Sequence, residues 1–290
     1  MARKNDSLDR LVVFLAKRDG IDKLVKTFQY TSKMAHWYLL STGSPELAQR
    51  AKNWEVSCGL SRKCFRTGRF LTGFNAIRTT QFENWKWQAL AVVGNSGEFV
   101  YFFFDHLTWM SRINFLDSKL ADRFCYISAF GEAVSYICFT VQELTMLTRE
   151  RKAEKQHLKE IDALLSGSQL DKETAAKHIA QKRAAISGIR FRRVMRICAI
   201  SSFASDFIID MVELSPNPFV THAVTLGLSG LTSAWTGWYR AWPRELVSRT
   251  GQRLPVHEQG TLQWNHRVRG QGKKTDVWAS NENLNNDGLL

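Results

Sequence analysis

The chain has few of the residues that interrupt helices, with five prolines and 18 glycines in 290 residues. It also shows little of the alternation between apolar and polar residues that marks a strand buried on one face. These absences argue against an all-β fold and predict an all-α chain. The five cysteines are odd in number and none forms a Cys-x-x-Cys pair, so neither a disulfide framework nor a zinc site is indicated.

Motifs of catalysis are missing as well. The sequence contains no His-Glu-x-x-His, no Gly-x-Ser-x-Gly and no phosphate-binding glycine-rich loop. The adjacent Asp105 and His106 would point about 100° apart on a helix, which does not make a catalytic dyad. We therefore expect no catalytic residue, no metal and no cofactor. Helix-turn-helix, zinc-finger and RNA-recognition signatures are also missing, so nucleic acid is not an expected partner.

Acidic residues are in the minority. The chain has 27 Asp and Glu against 40 Lys and Arg, a net charge of +13. Residues 1–80 hold 15 basic and 6 acidic residues and so carry most of this excess. We expect the N-terminal part to meet anionic partners, for which phospholipid headgroups or an acidic protein fit better than nucleic acid. The N-terminus is polar and charged, so we expect no secretory signal peptide.

Long hydrophobic runs without charge are rare. Of four apolar segments, at 89–110, 124–146, 194–214 and 219–239, only the last lacks Asp and Glu, and it contains His222 alone as a chargeable group. About 20 apolar residues cross a hydrocarbon core of about 30 Å, so 219–239 is the best candidate for a membrane span. Small residues spaced four apart in it permit close helix packing in lipid: Gly230, Ser233, Ala234 and Gly237.

These features divide the chain into five parts. They are a basic amphipathic helical region at 1–80, an apolar helical hairpin at 81–146, a charged linker of cytosolic type at 147–193, C-terminal apolar helices at 194–243, and a disordered tail at 244–290. We predict a membrane-associated helical bundle with amphipathic N-terminal helices and one to four membrane-embedded helices. Two spans would leave the basic linker on the non-cytosolic side, against the positive-inside tendency, whereas four spans or a monotopic pair would not.

The most informative stretch runs from Leu60 to Ile77. On one continuous helix its apolar residues share one arc, while Arg62, Arg66 and Arg69 fall on the opposite side and Lys63 lies at the edge. A basic face behind an apolar face is typical of a helix lying in the headgroup layer of an anionic membrane. The alternative is an amphipathic helix that packs on a soluble core. We predict that the following residues bind the membrane: Arg62, Lys63, Arg66, Arg69, Phe70, Leu71, Phe74 and Ile77.

Several longer strings point to one protein family. Residues 18–23 read Arg-Asp-Gly-Ile-Asp-Lys, residues 61–70 read Ser-Arg-Lys-Cys-Phe-Arg-Thr-Gly-Arg-Phe, and residues 101–106 read Tyr-Phe-Phe-Phe-Asp-His. Asn-Pro-Phe at 217–219 and Trp-Tyr at 238–239 follow in the same order. Together these strings closely resemble the peroxisomal biogenesis factor 11 family, specifically its plant branch, over about residues 8–243.

The resemblance implies a multi-pass peroxisomal membrane protein, with both termini in the cytosol, that elongates the membrane and promotes peroxisome proliferation and fission. It further implies self-association, association with other family members, and recruitment of a fission adaptor and a dynamin-related GTPase. The family's remodelling helix corresponds here to Leu60–Ile77, and residues 244–290 match no family role. The alternative function is a pore or channel for small metabolites, since Glu98, Asp105 and Glu132 lie within apolar segments.

Overall fold

The computed structural model describes residues 7–80, 84–166 and 172–242, and every regular element in these ranges is a helix. The all-α prediction is therefore confirmed. The helices are α1 (Ser7–Leu15), α2 (Arg18–Ser41), α3 (Pro45–Phe65), α4 (Phe70–Thr79), α5 (Trp85–Arg112), α6 (Ala121–Ser166), α7 (Lys172–Leu214), α8 (Pro218–Thr221) and α9 (Ala223–Ala241). A 3₁₀ turn at Ser118–Leu120 precedes α6. The tail predicted at 244–290 lies outside the described residues.

Helix starts follow local chemistry. The Asn84 side chain accepts a hydrogen bond from the backbone N–H of Lys86 at the start of α5, and the Asn217 side chain accepts from the first turn of α8. Pro45 and Pro218 occupy the first positions of their helices, where no backbone donor is needed. These residues fix where the connections end and therefore how the longer helices face one another.

The long helices form a ring. Helix α2 packs on α3 and α9, α9 packs on α7, α7 on α6, and α6 on α5, while α4 lies on the outside of α5. The ring is completed between α3 and α5, which pack on each other far less than the other neighbours do. Helix α1 packs at one end of the helix ring. The aromatic side chain of Phe14 stacks there on that of Trp238, at a centroid distance of 4.6 Å.

The distribution of side chains departs from that in a soluble protein. Charged residues that would normally face water are buried inside the ring. Large apolar side chains face outward instead, and on α6 Phe130 and Ile137 are more than half exposed. An apolar outer surface around satisfied helical backbone is what lipid requires. The prediction of a membrane-associated helical bundle is therefore confirmed.

The span suggested by hydropathy differs from the predicted one. Among the described residues, one helix is long and apolar enough to cross a membrane, and it lies in Ser118–Ser166 rather than at 219–239. Helix α9 has only 19 residues, and many of them are Ser, Thr, Gly and Trp, which lower its mean hydropathy. Its four small residues, Gly230, Ser233, Ala234 and Gly237, are all buried against neighbouring helices.

The segment 147–193 continues the neighbouring helices. Residues 147–166 belong to α6 and residues 172–193 to α7, with no helix end at 146 or 193. The two halves are joined by ion pairs, for example between Arg190 Nε and Glu154 Oε1 at 2.6 Å. The charged linker is thus the outer half of a helical hairpin whose inner half lies in the ring. Residues 167–171, between the two helices, lie outside the described residues.

Close packing of α5 on α6 depends on two glycines. A Cβ atom added to Gly97 would lie 2.6 Å from the backbone oxygen of Gly131, so the helices must move apart to accept any side chain. We expect Gly97→Val to lower the free energy of unfolding by about 1–3 kcal/mol through overpacking. Thermal unfolding in detergent, followed by circular dichroism, measures this. Gly188→Ala, at an uncrowded site on α7, is the control and should be neutral or stabilising; equal effects would contradict the contact.

Candidate functional site

The basic segment is not one continuous helix. Helix α3 ends at Phe65 and α4 begins at Phe70, and between them Gly68 adopts a φ of +73°. This left-handed conformation suits glycine and redirects the chain. Helix α4 thereby turns onto α5, where a Cβ on Gly73 would lie only 3.0 Å from the backbone of Asn95 and Phe99. The prediction of a single helix from Leu60 to Ile77 is wrong because of this turn.

The cations of the segment point into the ring. Arg62 Nε donates to Asp22 Oδ1 at 3.2 Å, and Arg66 Nε donates to the same oxygen at 3.1 Å. Arg69 pairs with Asp19 at 2.9 Å. Carboxylates on α2 thus hold these guanidinium groups inside the ring. Their role in membrane binding stays a prediction.

The remaining partner of the segment is on α5. Lys63 donates to Asp105, and a second oxygen of Asp105 lies 3.7 Å from Arg66 Nη1. Arg66 also donates to the hydroxyl of Tyr101. One short piece of chain therefore ties α2 to α5 through ion pairs, at the point where α3 and α5 would otherwise have little contact. We call Asp19, Asp22, Asp105 and the four cations the ion-pair cluster.

Nearby cations determine the protonation state of the buried carboxylates. Burial raises the pKa of Asp22, but Arg66 and Arg62 lower it by more, so the pKa lies well below its ordinary value. Glu55 behaves similarly, since Lys33 and Lys52 outweigh its burial and lower its pKa. Asp22 is therefore ionised at neutral pH. Its stabilising contribution is present above the unfolded pKa of about 3.9 and is lost as the pH falls through the lower folded value.

The apolar members of the segment divide into two groups. The ring of Phe70 meets those of Phe99 and Phe103 edge-on, at centroid distances of 5.9 and 5.7 Å. Leu71 and Phe74 face outward and are 57% and 54% exposed, while Ile77 is half-buried. Two of the four predicted insertion residues thus form an outward apolar face on α4.

A polar cavity of about 760 Å³ lies inside the ring. Near its centre the Lys26 ammonium donates to Asp206 Oδ1 at 2.5 Å and to Ser233 Oγ at 2.7 Å. The Ser233 hydroxyl in turn donates to Asp206 Oδ2 at 2.6 Å. This triad ties α2, α7 and α9 together. Sequence reasoning missed it, although Asp206 within an apolar segment was a signal for a buried partner.

The cavity wall is charged but nearly balanced. Ten Lys or Arg and nine Asp or Glu side chains line it, so no single sign of charge dominates. Within residues 7–80, 84–166 and 172–242, no group of three His, Cys, Asp or Glu is arranged to hold a metal ion. The wall can therefore accommodate polar molecules by hydrogen bonds and by charges of both signs.

An apolar exterior, a charged interior and an exposed apolar helix on the outside of α5 define a helical membrane-associated protein. The family model for peroxisomal biogenesis factor 11 (PEX11) matches residues 8–242. The chain therefore belongs to this family, and the resemblance found in its motifs is confirmed. No solved structure matches the chain.

Plant relatives are similar over most of their length. Peroxisomal membrane protein 11-4 of Oryza sativa subsp. indica is 55% identical over 238 residues, which are 82% of this chain and 98% of the relative. Peroxisomal membrane protein 11B of Arabidopsis thaliana is 51% identical over 238 residues, with the same shares of the two chains. Peroxisomal membrane protein 11 homolog of Dictyostelium discoideum is 26% identical over 263 residues, or 83% of this chain and 96% of the relative.

The ion-pair cluster should contribute strongly to the free energy of unfolding. Asp22→Asn leaves Arg62 and Arg66 without their shared buried counter-ion, and we expect a loss of about 3–5 kcal/mol in the free energy of unfolding. The control is Glu173→Gln, which breaks the pair with Lys177 in which both side chains are 74% exposed, and which should cost less than about 0.5 kcal/mol. Thermal unfolding of both variants in detergent measures the difference. Similar losses would show that the Asp22 carboxylate does not hold the segment.

Proposed function

We propose that the protein resides in the peroxisomal membrane and elongates it by inserting the outward face of α4 into one leaflet, as a step in peroxisome proliferation and fission. The observation that carries this proposal is the exposure of Leu71 and Phe74 on a helix whose other side is fixed to α5. Membership of the peroxisomal biogenesis factor 11 family and the names of the plant relatives support the location.

The wedge is held rigidly enough to strain a bilayer. Phe70 packs on Phe99 and Phe103, and the ion-pair cluster fixes the chain just before α4. Leu71 and Phe74 together contribute up to about 3–6 kcal/mol if fully buried in lipid, at roughly 1.5–3 kcal/mol each. Apolar volume added to one leaflet expands it relative to the other and favours positive curvature. Anchoring by the long helices keeps the local density of wedges high.

The predicted role of Arg62, Lys63, Arg66 and Arg69 in binding headgroups fits this mechanism under one condition. Each cation must first leave its carboxylate partner, since all four are engaged in ion pairs. Attraction to an anionic surface contributes roughly 1 kcal/mol per cation, which is small against the loss of a buried partner. We therefore assign the first contact with lipid to the apolar face of α4 and to the exposed Arg78.

The helix arrangement favours an even number of spans, among them α5, the inner half of α6, the inner half of α7, and α9. An even number of spans keeps both termini on the cytosolic side, and it places the outer half of the α6–α7 hairpin there too. The basic segment 147–193 then follows the positive-inside tendency. A cytosolic hairpin and an exposed apolar surface suit the partners proposed for the protein: further copies, other family members, a fission adaptor and a dynamin-related GTPase.

Tubulation of vesicles tests the wedge. We expect the double variant Leu71→Glu and Phe74→Glu to lose tubulation of anionic vesicles, because carboxylates cannot enter the hydrocarbon region. Insertion into the membrane should persist, since neither side chain supports the bundle. The reconstituted full chain is examined by electron microscopy. Leu165→Glu, at an exposed apolar position far along the hairpin, is the control; tubulation that survives the double variant would rule out the wedge.

A channel for small metabolites is the second candidate function, and the observation that favours it is the charged cavity. Rings of one charge sign select ions in channels, so a balanced wall would pass polar metabolites with little selectivity for charge. We expect purified protein in planar bilayers to carry current that falls several-fold in the double variant Glu98→Gln and Glu132→Gln. Glu46→Gln, on the exposed start of α3, is the control. Tubulation without any current would exclude the channel.

A further inference from the structure

The polar cavity extends through most of the depth of a bilayer. Its wall includes α9 from Leu226 to Ala241, a rise of about 22 Å along a helix. The hydrocarbon core of a membrane is about 30 Å thick. A polar group in this cavity could therefore travel most of the way between the two leaflets without entering hydrocarbon.

The cavity offers free charges of both signs. Its wall carries charged side chains that have no ion-pair partner among the described residues. They are three cations, Lys23, Arg112 and Arg240, and four acids, Glu98, Glu132, Asp210 and Glu213. The other charged side chains of the wall are largely engaged with one another, as in the ion-pair cluster. A guest that carries a negative and a positive group together can pair with both kinds of free charge. A guest of one sign would leave one kind unsatisfied.

One side of the cavity reaches the outer surface. Val56, midway along α3, lines the cavity and is 50% exposed. The ion pair between α3 and α5 is made by Lys63, in the last turn of α3, and the helices pack little elsewhere. The ring is therefore open at its side, between α3 and α5, as well as being polar within.

We propose that this cavity carries the zwitterionic headgroups of phospholipids from one leaflet to the other, while the acyl chains stay in the bilayer along the opening between α3 and α5. The side opening decides between a lipid and a free solute, because a solute crossing end to end needs no contact with lipid. The inference rests on the proposed location of the bundle in the membrane. It also complements the wedge, because transfer of lipid between leaflets supplies area to the leaflet that a growing tube expands.

Reconstitution of the full chain tests the transfer. Vesicles of phosphatidylcholine with a minor fraction of anionic lipid receive a trace of phosphatidylcholine labelled with a fluorophore that dithionite bleaches. In vesicles without protein only the outer half of the label is bleached, and with protein we expect nearly all of it to be bleached. A second set of vesicles encloses an aqueous dye. Loss of the enclosed dye's fluorescence together with that of the lipid label would indicate a solute pore and overturn the lipid proposal.

Variants locate the route. Val56→Trp places a large side chain at the opening, and Lys23→Met removes one free cation; we expect each to slow bleaching several-fold. Val141→Trp, on the outward face of α6, is the control and should bleach at the wild-type rate. Unchanged rates in both cavity variants would overturn the route.

A further measurement distinguishes transfer of a lipid headgroup from transfer of a soluble molecule with the same head. Labelled phosphatidylcholine should be bleached faster than labelled phosphatidylglycerol, and trapped glycerophosphocholine, which has the same head without acyl chains, should be retained. Vesicle flotation and tubulation are scored in the same samples. Tubulation without lipid transfer would overturn this inference alone, whereas failure of the protein to float with the vesicles would overturn the proposed function together with it.

Discussion

Ion pairs between helices that are distant in the sequence hold this bundle together. Asp22 on α2 receives Arg62 and Arg66 from the end of α3 and the following turn, and Lys26 on the same helix reaches Asp206 on α7. A buried charge that loses its partner is costly, so each of these contacts constrains the positions of two helices. The apolar exterior cannot supply this constraint, because lipid solvates apolar side chains as well as another helix does. The polar interior therefore determines how the helices are arranged.

The same contacts serve both the proposed wedge on α4 and the polar cavity inside the ring. A wedge must be rigid to strain a membrane, and a polar cavity must keep its helices apart. The ion-pair cluster meets both needs, since it fixes the chain before α4 and joins α2 to α5 across an opening. Glycines at the α5–α6 contact complete the arrangement by letting those two helices approach closely, so that this side of the ring is tightly packed.

Much of the architecture could be predicted from the sequence. Scarce proline and helical periodicity indicated an all-α chain, and strings such as Arg18–Lys23 indicated the family. The direction of the basic residues could not be predicted, because periodicity shows which side chains share a face but not what that face meets. The acids that bind Arg62 and Lys63 lie 40 and 42 residues away in the sequence. Gly68 was a visible signal for the break, but a glycine inside a helical pattern is often tolerated.

The length of the α6–α7 hairpin has a consequence for the surroundings of the membrane. Residues 147–166 continue α6 beyond its apolar half, a further rise of about 30 Å. Ion pairs with α7 along its length make this extension a stiff helical rod. In the proposed topology, with the hairpin on the cytosolic side, a dense layer of such rods would hold a second membrane about 30 Å from the surface.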